Sequence, residues 1–181
     1  MAEIDYGIEE IVFAPLAADG AFPNFDTDPD RIAIQMVDID SVEPTEESNS
    51  NVDVEFENAD NLRLPGAKGV KTIVFTSSDK SDKIAKAFKG MKAGTAASDD
   101  EGWLVEDPNH DDTVTMAMQI KTKALGAYPA KLKQYTPVLV ETKETGTIGK
   151  NNLGKFTFTV TRQPNYDAAG NKIRGYREKA I

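Results

Sequence analysis

The residue types that do chemistry occur in this chain in patterns that stop short of a site. Residues 149–156, GKNNLGKF, satisfy the G-x-x-x-x-G-K spacing of a phosphate loop but end in Phe156, where a magnesium-binding Ser or Thr is required. The segment behind it alternates as a strand, whereas a phosphate loop must open a helix whose N-terminus faces the anion. The stretch therefore reads as a glycine-rich hairpin loop. Residues 26–30, DTDPD, place carboxylates at alternate positions, as a calcium loop does. Arg31, however, stands where the sharp glycine turn belongs, and Val37 where the bidentate glutamate belongs. That excludes an EF-hand and leaves room only for a casual surface calcium ion.

His110 is the only histidine, and the chain has no cysteine, so a zinc site lacks its further ligands. Its polar surroundings, residues 108–112, give no sign of the buried, oriented imidazole that a Ser–His–Asp triad needs. An exposed turn histidine is expected. The acid pairs Asp99–Asp100 and Asp111–Asp112 are neighbours in sequence, and adjacency is not the separation across a cleft that a glycosidase needs. The sequence thus offers no catalytic, cofactor-binding or metal-ligating residue, and it reads as a non-enzyme without a cofactor.

Lys80, Lys83, Lys86, Lys89 and Lys92 recur every third residue. They fit a solvated helix face with Asp79–Lys83 and Asp82–Lys86 pairs, or a contact with an acidic neighbour. No aromatics interleave with them, which speaks against nucleic-acid binding. They lie on the one convincing helix, residues 78–92 (SDKSDKIAKAFKGMK), where Ile84, Ala87, Phe88 and Met91 share a face. Ser78 or Asp79 supplies the cap, and Gly90 or Gly94 the stop.

Strands surround this helix. Residues 8–14, 31–38, 52–57, 70–77, 103–106, 113–121, 137–143, 155–161 and 172–177 read as short strands. Residues 31–38 are apolar on both faces and are expected to be covered on both sides. Val114, Met116, Met118 and Ile120 face one way, and Phe156, Phe158 and Val160 face in, with three threonines out. Residues 128–135 are ambiguous, with a short helical turn after Pro129 as one option. Long polar loops are expected at 16–30, 40–51 and 144–154, the second of them mobile. The pattern predicts one domain over 1–181, mainly β: an antiparallel sandwich or barrel with one flanking helix.

The chain has 181 residues and a net charge of −9. Residues 1–60 hold seventeen acids against Arg31 alone, a net of −16, while residues 121–181 hold twelve bases against four acids, a net of +8. Such thirds lie side by side in one fold, or the acidic face of one subunit meets the basic face of another in a head-to-tail ring. No apolar run reaches the length of a membrane span, and the first residues, MAEIDYGIEE, are acidic where a signal peptide is basic. A net acidic protein is a poor candidate for tight nucleic-acid binding.

Three stretches together, the acidic opening IDYGIEEIVFAPL, the single helix SDKSDKIAKAFKGMK between strands and the threonine-rich hairpin LGKFTFTVTRQP, resemble a major tail tube protein of a tailed bacteriophage. The resemblance implies a β-sandwich with a flanking helix and homo-hexameric rings stacked into a tube in the virion tail, assembled in the host cytoplasm. It implies contacts with other tail proteins and a lumen through which DNA passes without specific binding, with no catalytic residue. The acidic first third would supply a lumen that repels phosphates. On this view the polar loops 41–51 and 144–154 bridge subunits, with Glu43, Glu46, Glu47, Lys143, Lys150, Asn151, Asn152 and Lys155 as candidate contacts. The tube protein of a contractile injection or secretion system is a close cousin. A non-catalytic sandwich that binds ligands through its loops is the alternative from another class, and a minor or decorating capsid protein a further one.

Overall fold

The computed structural model describes residues 6–54, 62–66, 68–95, 100–111, 113–149 and 153–181. In chain order the elements are β1 (Tyr6–Ala14), β2 (Ile32–Ile34), β3 (Glu43–Glu46), β4 (Asn51–Val54), β5 (Leu62–Pro65) and β6 (Lys71–Ser77). The helix α1 (Asp82–Phe88) follows, then β7 (Met91–Ala93), β8 (Leu104–Glu106), β9 (Thr113–Lys123) and β10 (Lys131–Thr145). The chain ends with β11 (Lys155–Arg162), β12 (Asn165–Tyr166), β13 (Lys172–Ile173) and β14 (Tyr176–Ala180).

One large antiparallel sheet organises the molecule in the order β2-β1-β9-β10-β11-β6-β3, with β14 paired to β10. The fifteen-residue β10 reaches three neighbours because its first half, Lys131 to Tyr135, pairs with β14 and its second half, from Val138, with β11. A register shift between Tyr135 and Val138 separates the halves. Pro137, which has no N–H to give a ladder, sits inside that irregularity, where a strand tolerates it.

The sheet curls. Phe13 of β1 lies 6.4 Å from both Phe75 of β6 and Phe158 of β11, although β9 and β10 stand between β1 and β11 in the sheet. Phe75 and Phe158 stack at 4.8 Å, and Phe88 of α1 meets Phe13 and Phe158 edge-on at 5.1 and 5.4 Å. The inner face is therefore an aromatic and aliphatic core, with Ile84 and Phe88 plugging it. Past β2, Asp38 N–H donates to the Thr76 carbonyl at 2.9 Å and Ser77 Oγ to the Gln35 carbonyl at 2.6 Å. These bonds stitch the two flanks together along part of their length. The result is sandwich-like and not a closed barrel.

The mainly β fold with one helix and an antiparallel sheet is as expected, and so are the inward faces of β9 and β11: Met116, Met118 and Ile120, and Phe156, Phe158 and Val160, are buried. Several local expectations are corrected. The helix spans only Asp82–Phe88, because Gly90 at φ +62 ends it and Met91 begins β7. The strand expected over 31–38 stops at Ile34, since Met36 adopts φ 49 and is 63% exposed. What remains of it as β2 has Ile32 and Ile34 in the inner core and Ala33 against the outer cluster, and β1 and β9 are covered on both faces as well. Val12, Ala14 and Ala117 on their outer side are buried under Phe25 of the 16–30 loop. Residues 131–135 are strand, not a helical turn, since β9 and β14 hold them from both sides. Of the strand expected over 52–57, residues 55–57 lie outside the described residues.

Candidate assembly surface

The segment expected as the loop 40–51 is the root of a long β-ribbon. β3 pairs with β6, with Glu43 opposite Val74 and Glu46 opposite Lys71. Beyond Glu46 the regular ladder ends, and single hydrogen bonds across a register shift lead the two segments off the sheet. Glu47 N–H donates to the Val70 carbonyl at 2.9 Å, Gly69 N–H to Asn49 Oδ1 at 2.9 Å, and Gly66 N–H to the Ser50 carbonyl at 2.8 Å. β4 and β5 close it, with Val54 opposite Leu62. From Glu46 to Val54 this arm runs about 26 Å at the usual strand rise. Gly69 is needed at its base, since a Cβ there would lie 1.8 Å from the Glu47 carbonyl oxygen. β4 and β5 pair with each other and belong to no larger sheet. Strand β4 and its lead-in, residues 43–54, hold four acids and no base.

The candidate contacts fall into two groups. Glu43 and Glu46 are exposed along β3 and Glu47 follows them on the arm. Glu46 pairs with Lys71 at 2.5 Å. The other group is at the far end of β10 and the start of β11. Lys143 is exposed beside Glu141 at 2.8 Å, whereas Lys155 is committed within the chain to Asp38 at 2.6 Å. That pair joins the two groups, because Asp38 leads into β3. The Lys155 ammonium and the Thr76 hydroxyl hold the Asp38 carboxyl below its ordinary range. Lys150, Asn151 and Asn152 lie outside the described residues.

The outer face of this half of the sheet is rich in threonine. Register places Thr45, Thr72, Thr161, Leu139 and Thr115 in one row, and Thr76, Thr157 and Lys143 in another. Thr45 bonds Thr72 at 2.9 Å and Thr145 bonds Thr157 at 2.8 Å across strands. Alternation in 155–161 foretold a third of this face; the rest needed the strand order.

β14 is an open edge. Thr136 N–H donates to the Gly175 carbonyl and Ile181 N–H to the Ala130 carbonyl, both at 2.9 Å. Alternation in an antiparallel ladder then turns the backbone of Arg177 and Lys179 toward β10. The N–H and C=O groups of Tyr176, Glu178 and Ala180 point away, and among the described residues no strand lies beyond them. Arg162 stacks over Tyr135 and Tyr176 at 5.4 and 5.0 Å, and Arg177 over Phe22 at 4.3 Å, which fixes the strand's position. Burial and the Glu178 hydrogen bond push the Tyr176 phenol well above its ordinary range.

Between the curled flanks lies an open, partly apolar cavity of about 660 Å³, with Ile8, Val42, Ile73 and Ile120 in its wall and Lys123 and Lys133 among its lining. No local pattern announces it, because its wall is assembled from β1, β3, β6, β9, β10 and the 37–42 segment.

The residues weighed for chemistry stay apart. Among the described residues no cluster of His, Asp and Glu is arranged to hold a metal ion. In the DTDPD stretch Asp28 turns its carboxylate to its own turn, Oδ1 accepting from Asp30 N–H at 2.9 Å. His110 is not the exposed residue expected: it is half-buried, its ring packs on Gly90, and its Nε2 is buried without a hydrogen-bond partner among the described residues. The lysines in and just before α1 reach across to other elements instead of along the helix. Lys80 pairs with Glu144, and Lys83 donates to the Arg31 carbonyl at 2.6 Å.

The chain matches no protein-family model, and no curated protein matches it. Among the described residues no helix is long and apolar enough to cross a membrane.

Proposed function

We propose that this chain is a self-assembling structural subunit, the building block of a phage tail tube whose hexameric rings stack into a conduit for DNA. The observation that carries the reading is the arm. A two-stranded ribbon off the main sheet is marginal by itself in water, and it gains stability when another molecule covers it. The open edge of β14 supports the same reading, because unpaired strand edges invite pairing with another chain. The concentration of acids in the first third suits a lumen past which phosphates slide. A tube protein of a contractile injection or secretion system is a variant of this proposal.

The cavity between the flanks favours a second reading, a non-catalytic binding module for a partly apolar ligand. Light scattering and negative-stain microscopy of the concentrated protein separate the two. Hexamers or filaments are expected. A species that stays monomeric at high concentration removes the assembly reading and leaves the binding module.

A further inference from the structure

We infer that the acidic edge strand of one copy's arm lies along the open edge of β14 of the next copy, as an added strand in its sheet. The inference rests on the self-assembly reading and names the joint.

The two surfaces match in backbone and in charge. β14 offers the outward N–H and C=O groups of Tyr176, Glu178 and Ala180, a ladder half waiting for its partner. On the arm, the β3 edge is blunted, because the Glu47–Val70 bond sets Pro44 facing outward, and proline has no N–H. The same alternation, set by the Ser50–Gly66 bond, turns the backbone of Asn51 and Asp53 on β4 outward with nothing missing. In charge, the edge strand of the arm, residues 43–54, holds Glu43, Glu46, Glu47 and Asp53 and no base, whereas the bases Arg63, Lys68 and Lys71 lie on the segment behind it, Lys71 paired with Glu46. The segment 172–179 holds Lys172, Arg174, Arg177 and Lys179 against Glu178 alone. Glu43, Glu47, Arg174 and Lys179 are all exposed.

Pairing of β14 with β14 of a second copy does not serve. Within Tyr176–Ala180, each antiparallel register that matches outward groups over three or more residues sets Arg177 opposite Arg177 or Lys179, or Lys179 opposite itself. Like charges directly opposite oppose such pairing. The contact is therefore heterologous, arm to edge, and a heterologous contact generates rings or filaments, not a closed two-fold dimer.

Charge exchange tests the joint. In one variant Glu47→Lys and Asp53→Lys make the edge strand of the arm basic; in the other Arg174→Glu and Lys179→Glu make the β14 edge acidic. Each alone sets like charges against each other at every joint and is expected to raise the concentration for half-assembly at least about tenfold. An equimolar mixture alternates basic arm on acidic edge and acidic arm on basic edge, and it is expected to assemble again. Circular dichroism checks that both variants are folded.

A second measurement uses the lack of native thiols. Glu47→Cys and Lys179→Cys copies, mixed and treated with a short bis-maleimide, are expected to give cross-linked pairs that neither copy gives alone. Wild-type oligomers with unaffected charge variants, with no rescue on mixing, or with no cross-link overturn this joint and leave the assembly reading standing. A monomeric wild type overturns both.

Discussion

Asp38 shows how much one side chain can hold together here. It accepts from Lys155 Nζ and from the Thr76 hydroxyl at 2.6 Å each, tying the lead-in of β3 to β11 and β6. Asp38→Ala is expected to cost about 1–2 kcal/mol in urea unfolding at neutral pH. Its carboxyl is held below the ordinary value of 3.8, first by Lys155, so its contribution is present above that value and is lost as pH falls through the lower folded one. The gap between wild type and variant should therefore close below about pH 4. An unchanged gap at pH 3 would mean the carboxylate is not the source. Gly90 is the second such position. With φ +62, and with a Cβ only 2.2 Å from the His110 ring, Gly90→Ala is expected to cost about 2–4 kcal/mol by thermal melting. His110→Ala in the same chain should return the steric part of that loss, and simple additivity of the two would contradict the contact. The sequence hid both. Lys155 lies 117 residues beyond Asp38, and His110 lies 20 beyond Gly90. Neither separation leaves a local pattern to read.

Among the elements, periodicity was a good guide where one face decides and a poor one where backbone geometry does. Alternation in 113–121 and 155–161 gave the inward residues of β9 and β11, because a half-buried strand must alternate. The helix was found but overdrawn. Ile84 and Phe88 carry the core contact, while Met91, at helical spacing, is turned into β7 by the glycine before it. Phe88→Ala is accordingly expected to cost about 3–5 kcal/mol in chemical denaturation, since the ring touches Phe13 and Phe158. Lys86→Ala, on the exposed side, should stay within about 0.5 kcal/mol. Similar losses for the two would mean that α1 is not seated by its aromatic residue. The arm was legible only at its ends: the alternation of 52–57 announced a strand, but turn-forming polar residues in 40–51 disguised β3 and the hydrogen bonds that lead from it to β4. Pairing partners decide such a segment, and propensity does not.

For the molecule as a whole, the uneven charge seen along the chain becomes an uneven charge in space, with acids on the edge strand of the arm and bases near β14. If opposite charges join the copies, assembly should weaken as salt rises from about 0.05 to about 0.5 M, because screening shortens the reach of exposed pairs. Light scattering at fixed protein concentration measures it, and an assembly indifferent to salt would put apolar contacts in charge. The order of the strands also governs how the chain comes to be folded. β1 has the three residues of β2 nearby, but its main neighbour is β9, with Ile11 opposite Ile120. A nascent polypeptide leaving the ribosome must therefore leave β1 without its main pairing partner until more than a hundred further residues have been made. β10 then waits for the last few before its first half is flanked on both sides. Partners that shelter greasy segments during translation should find this chain a frequent client, and shortening it at the carboxyl end should harm its yield more than trimming the amino end.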